Sequence, residues 1–285
     1  MKKKTTNKIK EKIKEIKIFI KNVYDILCKP EMNVLPGQLA FSLILSLVPI
    51  ITLIGYGASF FNLSMDSIID IIRNNFDSKI SNMIVPIISG NAMDLKLIIT
   101  LIVMFYFASD GAGSIIFSAN EIYKIKQTTW IKRKIKAIGL TLLIIILFLF
   151  ILLVPVFGER IINAIDFFNI KSILTQILSI LSGPISWLII FVFIKIIFTI
   201  APNKSIEASR INLGAIFTTF GWIIVTAIYS FYIRNFANYD LFYAGLSNIA
   251  VLMLWIYFLS YILVIGLSLT ARVDKNEMEK TGSIK

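Results

Sequence analysis

Histidine is absent from the 285 residues, cysteine occurs once, and 17 acidic side chains stand against 29 lysines and arginines. Without histidine the chain lacks the commonest metal ligand and the commonest general base, and no HExxH-type site can be written. A lone Cys28 excludes disulfides and CxxC redox pairs within the chain and reads as an incidental reduced thiol. No glycine-rich phosphate loop is present, which excludes P-loop nucleotide hydrolysis. An intramembrane aspartyl protease needs two carboxylates that share a proton across facing helices. Here Asp110 alone lies well inside an apolar run, with Glu121, Glu159 and Glu207 at ends or in loops. No cofactor, metal or enzymatic activity is therefore expected.

What the chain does have is apolar side chains. They make up 57% of the residues against 16% charged, and the mean hydropathy is +0.81, a composition outside the range of water-soluble domains. A hydrocarbon core of ~30 Å takes about 20 helical residues to cross. Six apolar runs are long enough: Leu35 to Phe61, Leu95 to Asn120, Ala137 to Phe157, Ile173 to Ala201, Asn212 to Ile233 and Leu246 to Ala271. Strand-type alternation is absent, so the spans are read as helices and the fold as an all-α, six-transmembrane-helix bundle.

Lysine and arginine set the orientation. Ten lysines precede the first span, six basic residues lie between Lys124 and Lys136, Lys204 and Arg210 follow span four, and four more begin at Arg272. The opposite loops hold Arg73, Lys79, Arg160, Lys171 and Arg234 alone. Both termini are expected in the cytoplasm of a multi-pass protein of a bacterial plasma membrane. The net charge of +12 thus sits in short segments beside spans, where anionic lipid is met, and no nucleic-acid partner is expected.

Residues 1–30 place Ile9, Ile13, Ile16, Ile20, Val23 and Leu27 on one helical stripe, with lysines elsewhere. This predicts a basic amphipathic helix on anionic lipid, an anchor rather than a secretory signal, with a partner-binding or gating arm as the alternative. Ser64 to Asp94 predicts an interfacial helical segment, residues 31–273 the transmembrane domain, and 274–285 a cytoplasmic tail.

Polar residues line up inside the spans. Gln38, Ser42, Ser46 and Pro49 share one face of span one, and Asp110, Ser114, Ser118 and Glu121 one face of span two. Gly214, Thr218 and Gly221 predict a close helix contact on span five. Asp110 lies 14 residues from both Lys96 and Lys124, about 21 Å from each at ~1.5 Å per residue. A charge at that depth costs on the order of 2.5–3.5 kcal/mol on the insertion scale, so Asp110 is either neutral or faces water or a partner. Lys195 is a candidate partner, although its position seven residues before Pro202 favours snorkelling to the surface.

The segments GQLAFSLILSLVPII, SANEIYKI, APNKS and FANYDLFYAGLSNIAVLMLWIYFLSYILVIGLSL, in this order, resemble the bacterial YihY/BrkB family over nearly the whole chain. The positions that carry the likeness are Pro49, Asn120, Tyr123, Pro202, Gly245, Trp255 and Gly266. Two departures are Leu267-Ser268, where members usually have Ala-Glu, and Phe41-Ser42, where tyrosines are common. The family is often labelled ribonuclease BN, a label that these residues do not support. The resemblance implies an inner-membrane protein connected with serum resistance and with transport of lipid-like or small polar substrates. The leading expectation is a secondary transporter or lipid translocase using Asp110, Ser114, Ser118, Glu121, Gln38, Ser46 and Lys195 as its pathway. The alternative is a non-transporting scaffold that binds a partner in envelope assembly.

Overall fold

A computed structural model describes residue 14 and residues 17–60, 95–146, 187–236 and 246–280. The segment expected to lie at the interface over Ser64 to Asp94, the parts of spans three and four within 147–186, and Gly245 lie outside the described residues. Among these residues there are seven helices and no strand: α1 (17–27), α2 (Glu31–Phe60), α3 (Leu95–Ile122), α4 (130–146), α5 (Trp187–Ile200), α6 (Ala208–Phe236) and α7 (Leu246–Lys280). Three stretches are long and apolar enough to cross a membrane: Leu101–Ile122, Ala208–Ile233 and Ala250–Asn276. The described residues thus have the all-α architecture and apolar helices of a membrane protein, with three candidate spans among them.

α2 packs against α3 and α7, and α7 against α6. Their shared core holds Leu39, Ile116, Phe198, Ile211, Leu263 and Leu267, all nearly or fully buried. Lipid tails are as apolar as leucine, so in a bilayer such a core holds through close packing rather than transfer from water. The expected small-residue face on α6 does this work. Gly214 and Gly266 face each other where α6 meets α7, and a Cβ on either glycine would collide with Thr270 or Thr218 and with the facing backbone. The hydroxyls at this crossing are satisfied within their own helices, Thr218 donating to the Gly214 carbonyl at 2.8 Å and Thr270 to Gly266 at 3.0 Å.

The ends are locked by local chemistry. α3 closes in a Schellman motif: Ile125 N–H donates to Asn120 O at 2.8 Å, Lys124 N–H to Glu121 O at 3.1 Å, and Lys124 takes the left-handed conformation at φ 57°. The chain then turns sharply, and Arg133 N–H on Thr129 O at 3.0 Å starts α4. Pro49 lies inside α2; without an N–H it leaves the carbonyl four residues earlier without its helical donor.

Two segments gain detail. In α1 the face packed on the core is Phe19, Val23 and Ile26, with Phe19 6.1 Å from Phe217 between ring centroids. Ile20 and Leu27 of the expected stripe are exposed and form, with Tyr24, a second apolar stripe beside it. The helix is apolar on two neighbouring faces, one covered by protein. Residues 274–280, the start of the expected tail, continue α7 to Lys280, where Asp274 is buried between Lys204 Nζ at 2.6 Å and Arg210 Nη1 at 2.9 Å.

Candidate functional site

Asp110 has 15 residues of α3 before it and 12 after it, about 22 Å and 18 Å of helix. Its carboxylate is not bare. The tight turn after α3 brings α4 back antiparallel, with the Arg133 guanidinium 5.7 Å from the Phe117 ring centroid and Ala137 beside Gly113. From that level the Lys134 side chain extends along α3 rather than back toward the turn. Its amine donates to Asp110 Oδ1 at 2.7 Å and to the Tyr106 carbonyl at 2.9 Å, and sits 3.7 Å from the Tyr106 ring centroid. Tyr106 and Asp110 are four residues apart on one face, so a single cation meets a carboxylate, a carbonyl and a π-face.

The pair is asymmetric. The Lys134 side chain is 12% exposed and that of Asp110 53%. The exposed side of Asp110 opens on a cavity of about 320 Å³ between three helices. α2 lines it with Gln38, Ser42 and Leu45; α3 with Ser109, Asp110, Gly113, Ser114 and Phe117; α4 with Trp130, Arg133, Lys134 and Ala137. Ser114 donates to Ser42 Oγ at 2.6 Å across the α2–α3 contact. The arrangement has room for a polar or charged group among the three helices, beside one mid-helix ion pair.

The expected pathway residues divide. Gln38, Asp110 and Ser114 meet at the cavity. Ser46 is fully buried, donates to Leu43 O at 3.0 Å and packs on Gly111, where a Cβ would come within 2.5 Å of its oxygen; it serves helix packing. Ser118 is buried, its hydroxyl without a protein partner, and does not line the cavity. Glu121 accepts from Gln127 Nε2 at 2.8 Å at the end of α3. Lys195 is not the partner of Asp110: its amine lies 6.0 Å from the Phe191 ring on α5, and Lys134 takes the carboxylate.

The positions of the family likeness lie elsewhere, and three of them, Asn120, Tyr123 and Pro202, stand at the end of the bundle where α3 and α5 finish. Asn120 Oδ1 accepts from Asn203 N–H at 2.8 Å, next to Pro202. Lys136 caps this corner on the carbonyls of Ala201 and Pro202, both at 2.9 Å, and on Asn203 Oδ1 at 2.6 Å. Burial pushes the Tyr123 phenol above its ordinary range, and the charge of Asp274 adds to the effect. Trp255 stacks on Tyr229 at 5.1 Å, and Gly266 makes the α6–α7 crossing. Arg272 ties α7 to α1 through Asp25 Oδ2 at 3.3 Å. Among the described residues no group of three or more acidic, histidine or cysteine side chains could hold a metal ion.

The family described as Virulence factor BrkB matches residues 25–284. A ribonuclease-like protein, YfkH, of Bacillus subtilis (strain 168) is 27% identical over 91% of this chain and 96% of its own length. A UPF0761 membrane protein of Aeromonas salmonicida (strain A449) is 23% identical over 86% of this chain and 85% of its own. Another, of Alteromonas mediterranea, is 34% identical over a quarter of the chain. No solved structure matches. With its apolar helices and a family match running almost from end to end, the chain belongs to the BrkB family of membrane proteins.

Proposed function

We propose that this protein is a secondary transporter or lipid translocase of the bacterial cytoplasmic membrane, a six-span bundle with both termini in the cytoplasm and no hydrolytic chemistry of its own. The observation that carries this reading is the ion pair of Asp110 and Lys134 at the centre of α3, opening on a 320 Å³ cavity shared by α2, α3 and α4. A scaffold needs no polar cavity at that depth, and an uncompensated charge there is expensive.

In the proposed cycle, protonation of Asp110 removes the charge that holds Lys134. The ammonium then keeps only the Tyr106 carbonyl and ring, and the contact between α3 and α4 weakens on one side. A ligand or proton that binds one arrangement of these helices more tightly than the other shifts the population between them. The exposed stripe of α1, flanked by lysines, would rest on anionic lipid and hold the bundle at one depth.

The test is a comparison of lipids and metabolites among deletion cells and deletion cells carrying wild type, Asp110→Asn or Lys134→Met. The expected result is one class of compound that accumulates in the deletion strain, returns to normal with wild type, and stays high with either variant. Full complementation by both variants would remove the pair from the mechanism. No accumulated compound in the deletion strain would remove transport.

A further inference from the structure

We infer that the groove between α2, α3 and α4 is a binding site for an anionic lipid, with the phosphate end held at Arg133 and an acyl chain laid along α3. Three observations carry this. First, the polar cavity has an apolar neighbour. A second cavity of about 370 Å³ follows it along the same three helices, lined by Leu53 of α2, Leu101, Ile102, Phe105 and Tyr106 of α3, and Ile138 of α4. Tyr106 stands between the two, since its carbonyl and ring hold the Lys134 amine and the same residue lines the apolar space.

Second, the charge balance at the polar half is uneven. Asp110 is satisfied by Lys134, whereas Arg133 makes no ion pair among the described residues and lies against the Phe117 ring at the cavity wall. A guanidinium offers a planar fork of donors that fits phosphate oxygens, and it is already partly ordered by the ring. The Ser42 hydroxyl and the Gln38 amide stand nearby on the same lining, suited to a hydroxylated headgroup. Third, the lining of the second cavity is apolar and aromatic throughout, as an acyl chain requires.

A solute with charge but no tail leaves the apolar half unused, and a neutral tail leaves Arg133 unpaired. One molecule with a phosphate and a hydrocarbon chain satisfies both. The inference rests on the same site as the transport reading but concerns binding, which does not require movement across the membrane.

The test uses full-length protein, delipidated in detergent micelles, with bound ligand counted by native mass spectrometry. The probes are dioctanoyl phosphatidylglycerol, dioctanoyl phosphatidylcholine and glycerol phosphate. The variants are Arg133→Gln and Ile102→Trp; Ile102 is 65% exposed, so a larger side chain there can fill the groove without entering the core. The expected result is one phosphatidylglycerol bound about tenfold more tightly than phosphatidylcholine, with glycerol phosphate at least tenfold weaker still. Arg133→Gln should remove the preference for phosphatidylglycerol, and Ile102→Trp should weaken both lipids. Equal binding of the two lipids that ignores both substitutions means lipid coating of the belt and overturns the inference. Glycerol phosphate binding as tightly as the lipid overturns the acyl half. If binding behaves as expected while reconstituted vesicles show no flux, the transport reading falls and this one stands. Flux indifferent to Arg133→Gln and Ile102→Trp, together with unspecific binding, has the opposite consequence.

Discussion

Replacing glycines one at a time by alanine should separate those that let helices touch from those that merely occupy a helix. At Gly266 a new Cβ would collide with Thr218 Oγ1 and lie 3.1 Å from Phe198 Cζ and 3.0 Å from the Gly214 carbonyl oxygen. Forcing a methyl into such a contact costs about 1–3 kcal/mol. At Gly214 the obstacle includes the Gly266 carbonyl itself, so backbone must move and the cost belongs at the top of that range. Gly37 and Gly139 have nothing within 4 Å, and alanine there should stabilise by about 0.5–1 kcal/mol through helix propensity. Gly221 falls between, because the obstacle is the flexible Ile262 side chain. The assay is unfolding in detergent micelles followed by tryptophan fluorescence. Trp222, donating to Leu259 O at 2.9 Å, and Trp255, stacked on Tyr229, both report on the α6–α7 contact. Thr218→Ala combined with Gly266→Ala should recover at least ~0.5 kcal/mol relative to the sum of the two changes. Thr270→Ala should not rescue Gly214→Ala in the same way, since the facing carbonyl remains. If Gly266→Ala is as stabilising as Gly139→Ala, the close crossing is wrong.

Asp274→Ala should lower the unfolding temperature far more than Glu279→Ala, because Asp274 is buried between two cations while Glu279 is an exposed partner of Lys275. Equal effects would refute the anchoring role of Asp274. The hydrogen bond from Lys124 holds the Glu31 carboxyl below its ordinary value of 4.5. A depressed folded value means that the stabilisation is present above the unfolded value and is lost as pH falls through the folded one. The stability difference between wild type and Glu31→Gln should thus be constant near neutrality and shrink only below about pH 4.5, which pH-dependent unfolding measures. A difference that persists unchanged at pH 3 would contradict it. The Tyr123 phenol, raised by burial, should stay protonated in the folded protein at pH 10, so that wild type and Tyr123→Phe show the same tyrosinate absorbance at 295 nm; a larger absorbance in folded wild type would contradict it.

The helices and much of their packing were legible in the chain because apolar length and small-residue spacing are local signals. Gly214, Thr218 and Gly221 recur on one face, and that face meets α7. The family motif Asn120 to Tyr123 likewise proved to be a helix terminus with a defined turn. The partner of Asp110 was harder to see. Lys134 stands among basic residues that set topology, and a count of charges treats them alike. Only the tight turn at Lys124 shows that α4 starts early enough for Lys134 to reach Asp110. One signal was available: a lone intramembrane carboxylate needs a cation, and the next helix in sequence is its nearest antiparallel neighbour. Arg133 was passed over as a candidate for the same reason, since its meaning depends on three helices meeting; Ser42 was placed on the polar face of span one but not counted in the pathway. Ser118, Ser46 and Glu121 show the converse limit. A shared helical face groups Ser118 and Glu121 with Asp110, and Ser46 with Gln38, but each face turns from cavity to core or helix end within three turns.

The measurement that bears most directly on the central claim is flux in reconstituted vesicles with an imposed pH gradient. Phosphatidylglycerol carrying a fluorescent label is followed between leaflets for wild type, Asp110→Asn and Lys134→Met, beside vesicles without protein. The account predicts gradient-dependent movement in wild type and its loss, by at least tenfold, in both variants although they remain folded. Movement at the wild-type rate in Asp110→Asn, indifferent to the gradient, would contradict it.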